Sequence, residues 1–145
     1  MNSTGDESHA ETIVNERPTV VIAEDHLGCL EDISKMIARD YEILAVAGSG
    51  KRAITAALRC KPDVVILDVS LPELNGIAAA REMRKNGLKS KILFLTVHEE
   101  PEFKEAAFHS GANGYVYKSQ MNADVLVALK QVLAGGTFVS RGPNE

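Results

Sequence analysis

At 145 residues the chain has room for one domain with a real core, and its make-up, 45% hydrophobic and 25% charged, is that of an ordinary globular protein. A formal net charge of -4 argues against a nucleic-acid or membrane-surface partner for the domain itself. Cys29 and Cys60 are too few for a disulfide framework and lack the neighbours of a zinc site. With no apolar run of membrane length and no signal-peptide pattern, this cysteine usage points to a cytoplasmic protein.

Residues 1–17 read as a disordered acidic leader, in which Asp6, Glu7, Glu11 and Glu16 face only Arg17. At Pro18 the pattern changes. Thr19-Val20-Val21-Ile22-Ala23 is a short β-branched run that suits a strand buried on both faces, and it stops at Glu24-Asp25. Leu27, Leu30, Ile33 and Ile37 follow at helical spacing. Ile43–Ala47 is a second strand, closed by Gly48 and Gly50, with a helix after it through Ile54, Ala57 and Leu58. Asp63–Leu67 is the third strand and ends on Asp68; a helix from Ile77 through Met83 and Leu88 comes next. Lys91–Leu95 ends on Thr96 and precedes a helix between Pro101 and Gly111. Gly114–Tyr117 ends on Lys118, and a last amphipathic helix over 123–134 turns Val125, Leu126, Leu129, Val132 and Leu133 inward before Gly135-Gly136 stops it. Five βα units predict a doubly wound α/β sandwich around a five-stranded parallel sheet, with the domain over 18–140 and a linker or tail over 141–145. The cationic residues Arg81, Arg84, Lys85, Lys89 and Lys91 read as a solvated face of the third helix.

The polar residues that end the apolar runs carry the chemistry. Glu24-Asp25, Asp68, Thr96 and Lys118 each follow a different strand. In a parallel sheet those ends share one edge, where ligands bind at the reversal of strand order. At an effective dielectric near 20, two carboxylates about 4 Å apart repel by roughly 4 kcal/mol, so a proton or a cation must offset the charge. An all-oxygen cluster suits Mg²⁺, with Mn²⁺ as a substitute. Lys118 and Thr96 add a point charge and a hydroxyl for phosphoryl oxygens, and without a Ser/His/Asp or Cys/His set the natural nucleophile is a carboxylate.

The segments VVIAED at 20–25, DVVILDVSLPELNG at 63–76, ILFLTVH at 92–98 and GANGYVYKS at 111–119 together resemble the receiver domain of two-component response regulators. The resemblance implies the strand order 2-1-3-4-5 of a flavodoxin-like sheet. It implies that Asp68 accepts a phosphoryl group from a sensor histidine kinase, a phosphotransfer protein or a small phosphodonor, in a protein that catalyses its own modification without being a turnover enzyme. Asp25, Asp68 and the backbone carbonyl of Ser70 would ligate Mg²⁺, with Glu24 acting through water. Lys118 would hold the phosphoryl group and pair with Asp68 when that residue is free. Thr96 would swing to the phosphoryl group while Tyr115 rotates inward, and Ser70 and His98 would tune hydrolysis. Tyr117 has no assigned role and reads as an unremarkable surface or core residue.

Val97 stands where the family has a small residue, which would narrow access to Asp68. Ser119 follows Lys118 where many receivers have Pro; with GANGYV and ALKQVLAGGTFVS it resembles the NarL/FixJ-like branch. That branch implies a transcription regulator that meets DNA through an effector domain not present in this chain, with homodimerisation through the last helix or the fourth and fifth units. Two rivals are a pseudo-receiver without phosphorylation, which only Val97 supports, and a haloacid-dehalogenase-type phosphatase. The phosphatase needs a second Asp where Ser70 stands. AVAGSGKR at 45–52 misses the P-loop pattern at Ala45 and Arg52.

Overall fold

The computed structural model describes residues 17–142; the acidic stretch at 1–16 and the last three residues lie outside the described residues. The strands are β1 (Thr19–Ala23), β2 (Glu42–Ala47), β3 (Val64–Leu67), β4 (Lys91–Thr96), β5 (Gly114–Tyr117) and β6 (Phe138–Val139). Between them run α1 (Leu27–Ile37), α2 (Gly50–Cys60), α3 (Gly76–Lys85), α4 (Pro101–His109) and α5 (Met121–Leu133), with a 3₁₀ turn at Lys118–Gln120.

The sheet is parallel throughout in the order β2-β1-β3-β4-β5-β6. Central strands that are apolar on both faces need a helical layer on each, and two clusters supply it. Val65, Leu67, Ile92, Phe94 and Tyr115 pack with α2, α3 and α4, whereas Val20, Ile22, Ile66, Leu93 and Val116 pack with α1 and α5. The helices start where side chains take up free amides: His26, Ser49 and Asn75 accept from the N–H of Cys29, Arg52 and Ala78. Pro101 opens α4 at a position where its missing N–H costs nothing.

The strand order reverses between β1 and β3, whose ends are in register at Ala23 and Leu67. The next residues, Glu24 and Asp68, therefore flank the crevice directly. The turn after Asp68 folds back so tightly that a Cβ on Gly76 would overlap the Asp68 carbonyl, so only glycine fits there.

Several expectations are corrected. The sheet has a sixth strand: beyond the two glycines the chain returns to pair with β5, Gly114 against Phe138 and Tyr115 against Val139. β2 is an edge strand with Leu44 and Val46 exposed, and Leu126, expected to face inward, is 40% exposed while Ala128 takes the buried place. Arg84 is no solvated cation. Its guanidinium donates to the carbonyls of Gly111, Leu88 and Ser90 and to Asn113 Oδ1, tying α3 to the loop before β4 and the loop before β5. Lys89 and Lys91 lie beyond the end of α3, in the loop before β4 and at its first residue. Arg17, counted with the leader, is held to the domain by a bond to the Ala38 carbonyl.

Candidate functional site

Glu24, Asp25 and Asp68 come together with one carboxylate oxygen from each inside 4.8 Å of the others. Glu24 and Asp68 are almost fully buried, at 3% and 4% exposure, whereas Asp25 faces solvent. Burial of two carboxylates demands partners. Lys118 supplies them, its Nζ lying 2.9 Å from Glu24 Oε1 and 3.0 Å from Asp68 Oδ2. The remaining oxygens are fixed by backbone: His26 N–H donates to Glu24 Oε2 and Ser70 N–H to Asp68 Oδ1. Burial pushes the Lys118 ammonium down, but its bonds to Glu24 and Asp68 outweigh that and hold it well above the usual lysine range. Lys118 stays charged, and the cluster still carries three carboxylates against one ammonium.

The expected switch residues lie on the two neighbouring strands. Thr96 ends β4, fully buried, and its hydroxyl accepts from His98 N–H at 3.3 Å. Tyr115 on β5 is also fully buried, so its ring already occupies the inward position, and its hydroxyl donates to the His98 carbonyl at 2.7 Å. Burial, then the nearby Tyr117, keeps the Tyr115 phenol protonated far above its ordinary range. Tyr117 is core, set edge-on to Tyr115 with ring centres 6.2 Å apart, and its hydroxyl receives a bond from Lys104.

His98 is less free than a strand-end histidine suggests. Its ring stacks on Phe103 with centroids 4.2 Å apart, and Nε2 shares a 2.7 Å hydrogen bond with the Ser70 hydroxyl. This bridge across the mouth of the site joins the residue two beyond Asp68 to the residue two beyond Thr96. Val97 is 63% exposed and lies beside Lys118 in a shallow cleft that also includes His26, Cys29 and Met121. The cysteine was not foreseen as a neighbour of the carboxylates. Its thiol is pushed up to about 11 by burial and then by Glu24, which is also its hydrogen-bond partner. The sequence signal for it is only its position on the first turn of the helix that follows Glu24-Asp25. Ser119 donates to Glu99 Oε2, linking the 3₁₀ turn to the loop after β4.

Four strand ends that gather acids, a hydroxyl and a lysine at one sheet edge fit one known architecture, and residues 20–130 match the family model of the response regulator receiver domain. The chain belongs to that family. Receivers are signalling modules of two-component systems, not turnover enzymes. The response regulator GacA of Pseudomonas syringae pv. syringae is 34% identical over 124 residues, 83% of this chain and 58% of that protein. The transcriptional regulatory protein DegU of Brevibacillus brevis is 30% identical over 123 residues, 83% of this chain and 52% of that protein. Among solved structures, a LuxR-family two-component response regulator from Aurantimonas sp. SI85-9A1 superposes with a TM-score of 0.81 at 30% identity, covering 89% of this chain and 92% of that one. These relatives place the receiver in the NarL/FixJ-like branch. The chain spans a little over half the length of the curated relatives it matches.

Proposed function

We propose that this receiver takes a phosphoryl group onto Asp68 from a sensor histidine kinase or a phosphotransfer protein, and that the product switches an output face. The observation that carries the reading is the buried triad of Glu24, Asp68 and Lys118 beside the exposed Asp25. A carboxylate oxygen of Asp68 attacks phosphorus, the bond from phosphorus to the donor imidazole breaks, and the imidazole keeps the electron pair and takes up a proton. Lys118, already bonded to Asp68, follows the incoming negative charge without leaving the site. The Thr96 hydroxyl, which among the described residues accepts one long bond from His98 N–H, turns toward the phosphoryl oxygens.

An all-oxygen donor set with excess negative charge fits a hard dication, with Asp25, Asp68 and the Ser70 carbonyl as ligands and Glu24 acting through water. Mg²⁺ there, or Mn²⁺ in its place, supplies charge neutralisation for phosphoryl transfer. The covered share of the relatives supports a place at the receiver end of a DNA-binding transcription regulator, with DNA contacted by a separate effector domain and dimerisation through α5 or the α4–β5 region.

The test is incubation with a small acyl phosphate and Mg²⁺ followed by intact mass measurement. A single added phosphoryl mass, stable in acid, labile in base and absent with EDTA or in Asp68→Asn, is expected. A folded protein that takes up no phosphoryl group overturns the reading in favour of an interaction module that has lost the chemistry.

A further inference from the structure

At the sheet edge opposite the carboxylates, the turn before β3, the loop before β4 and the end of α5 enclose a cleft of about 540 Å³. Its floor includes Leu88 and Leu133, and Lys61, Lys89 and Lys91 stand around it. Among the described residues none of these three ammonium groups has an ion-pair partner. The one acid among the described residues of the lining, Asp63, is engaged elsewhere: its Oδ2 accepts from the Thr19 N–H at 2.8 Å and from the Thr19 hydroxyl at 3.1 Å. The cleft is therefore apolar below and positive above.

Thr19 is also where the chain enters the sheet, so its bond to Asp63 brings the entry point to the wall of this cleft. Just upstream runs Glu11-Thr12-Ile13-Val14-Asn15-Glu16, an apolar pair between two acids. Residues 1–16 carry four acids and no Lys or Arg, while the rest of the chain is balanced, so the net negative charge of the molecule belongs to this segment and is opposite in sign to the lysines of the cleft. Eight residues separate Glu11 from Thr19, a reach of up to about 27 Å when extended. Tethering at such lengths gives an effective concentration on the order of millimolar, so even a weak contact is well populated.

We propose that residues 11–16 of this chain seat in the cleft, with Ile13 and Val14 over Leu88 and Leu133 and the flanking glutamates against Lys61, Lys89 and Lys91. The seat lies on the edge remote from Asp68 and does not depend on the phosphoryl chemistry.

The test follows the backbone amide signals of Gly87 and Lys89 in the isotopically labelled full chain at low ionic strength. Paired substitution Glu11→Lys with Glu16→Lys is expected to shift both signals, and added salt to shift them the same way in the wild type only. Restoring complementarity by adding Lys89→Glu and Lys91→Glu to the leader variant is expected to return the salt response. A carbodiimide cross-link from Glu11 or Glu16 to one of the three lysines, within one chain, identifies the contact. Unmoved amides in the leader variant, cross-links spread evenly over the surface lysines, or cross-links only between differently labelled chains each overturn it.

Discussion

At the scale of single residues, Lys118 is the side chain whose loss the site can least absorb. It pairs with both buried carboxylates, and its own side chain is only 17% exposed. Lys118→Met leaves Glu24 and Asp68 facing each other without a cation, and removing one member of a buried ion pair typically costs about 3 kcal/mol. The metal-free variant is expected to lose about that much in a denaturant titration, and Mg²⁺ to restore part of it; an unchanged midpoint would mean the carboxylates take up protons instead. Cys29 offers a test by pH. Its thiol is raised from the ordinary 9.0 to about 11, so the folded state disfavours the thiolate. That contribution is intact below pH 9.0 and is lost as pH rises toward 11, because the unfolded chain ionises first. Stability of the metal-free protein is expected to fall less steeply across this window in Cys29→Ser, and alkylation of Cys29 to be slow at pH 8 and to quicken toward pH 11.

At the scale of elements, the C-terminal strand owes its form to two neighbours. Ser140 N–H donates to the Tyr115 carbonyl, and its hydroxyl donates to Asp124 Oδ2 at 2.6 Å and accepts from Tyr117 N–H at 3.2 Å. Ser140 is buried, so Ser140→Ala strands a carboxylate oxygen and an amide and is expected to cost about 1–3 kcal/mol. Hydrogen exchange at Phe138 should rise with it, since that amide's bond to the Asn113 carbonyl depends on the same strap; protection that survives the substitution would show that strand pairing alone holds the segment. These contacts also explain why β6 was not legible in the sequence. Two residues after a pair of glycines carry no periodicity, and their extended form exists only because β5 offers an open edge. The first five strands were legible because each is a short apolar run, covered on both sides in all but the edge strand β2, and the site was legible because polar residues end four of those runs. The bridge from Ser70 to His98 and the place of Arg84 were not. Both depend on loops that meet only after the sheet has formed, and a charged residue near the end of an amphipathic helix reads as solvated until its carbonyl partners are known.

At the scale of the whole molecule, the cluster at the switch point opposes folding, since collapse brings Glu24, Asp25 and Asp68 together while the unfolded chain keeps them apart. Lys118 answers the two buried members and leaves Asp25 without that help. A dication that needs all three oxygens can bind only the folded chain, so it must stabilise by mass action. At a free concentration about a hundredfold above Kd the gain is about 2.7 kcal/mol. With roughly 4 °C per kcal/mol for a domain of this size, the melting temperature is expected to rise by about 10 °C in saturating Mg²⁺ and to return on chelation. Asp25→Asn should separate this effect from the rest of the fold. Asp25 is exposed, so its replacement leaves the core untouched and relieves repulsion, and the metal-free variant is expected to melt at or above the wild-type temperature while the response to Mg²⁺ disappears. A wild-type protein whose melting does not respond to Mg²⁺ would show that Lys118 alone balances the cluster and that the three acids do not form a cation site.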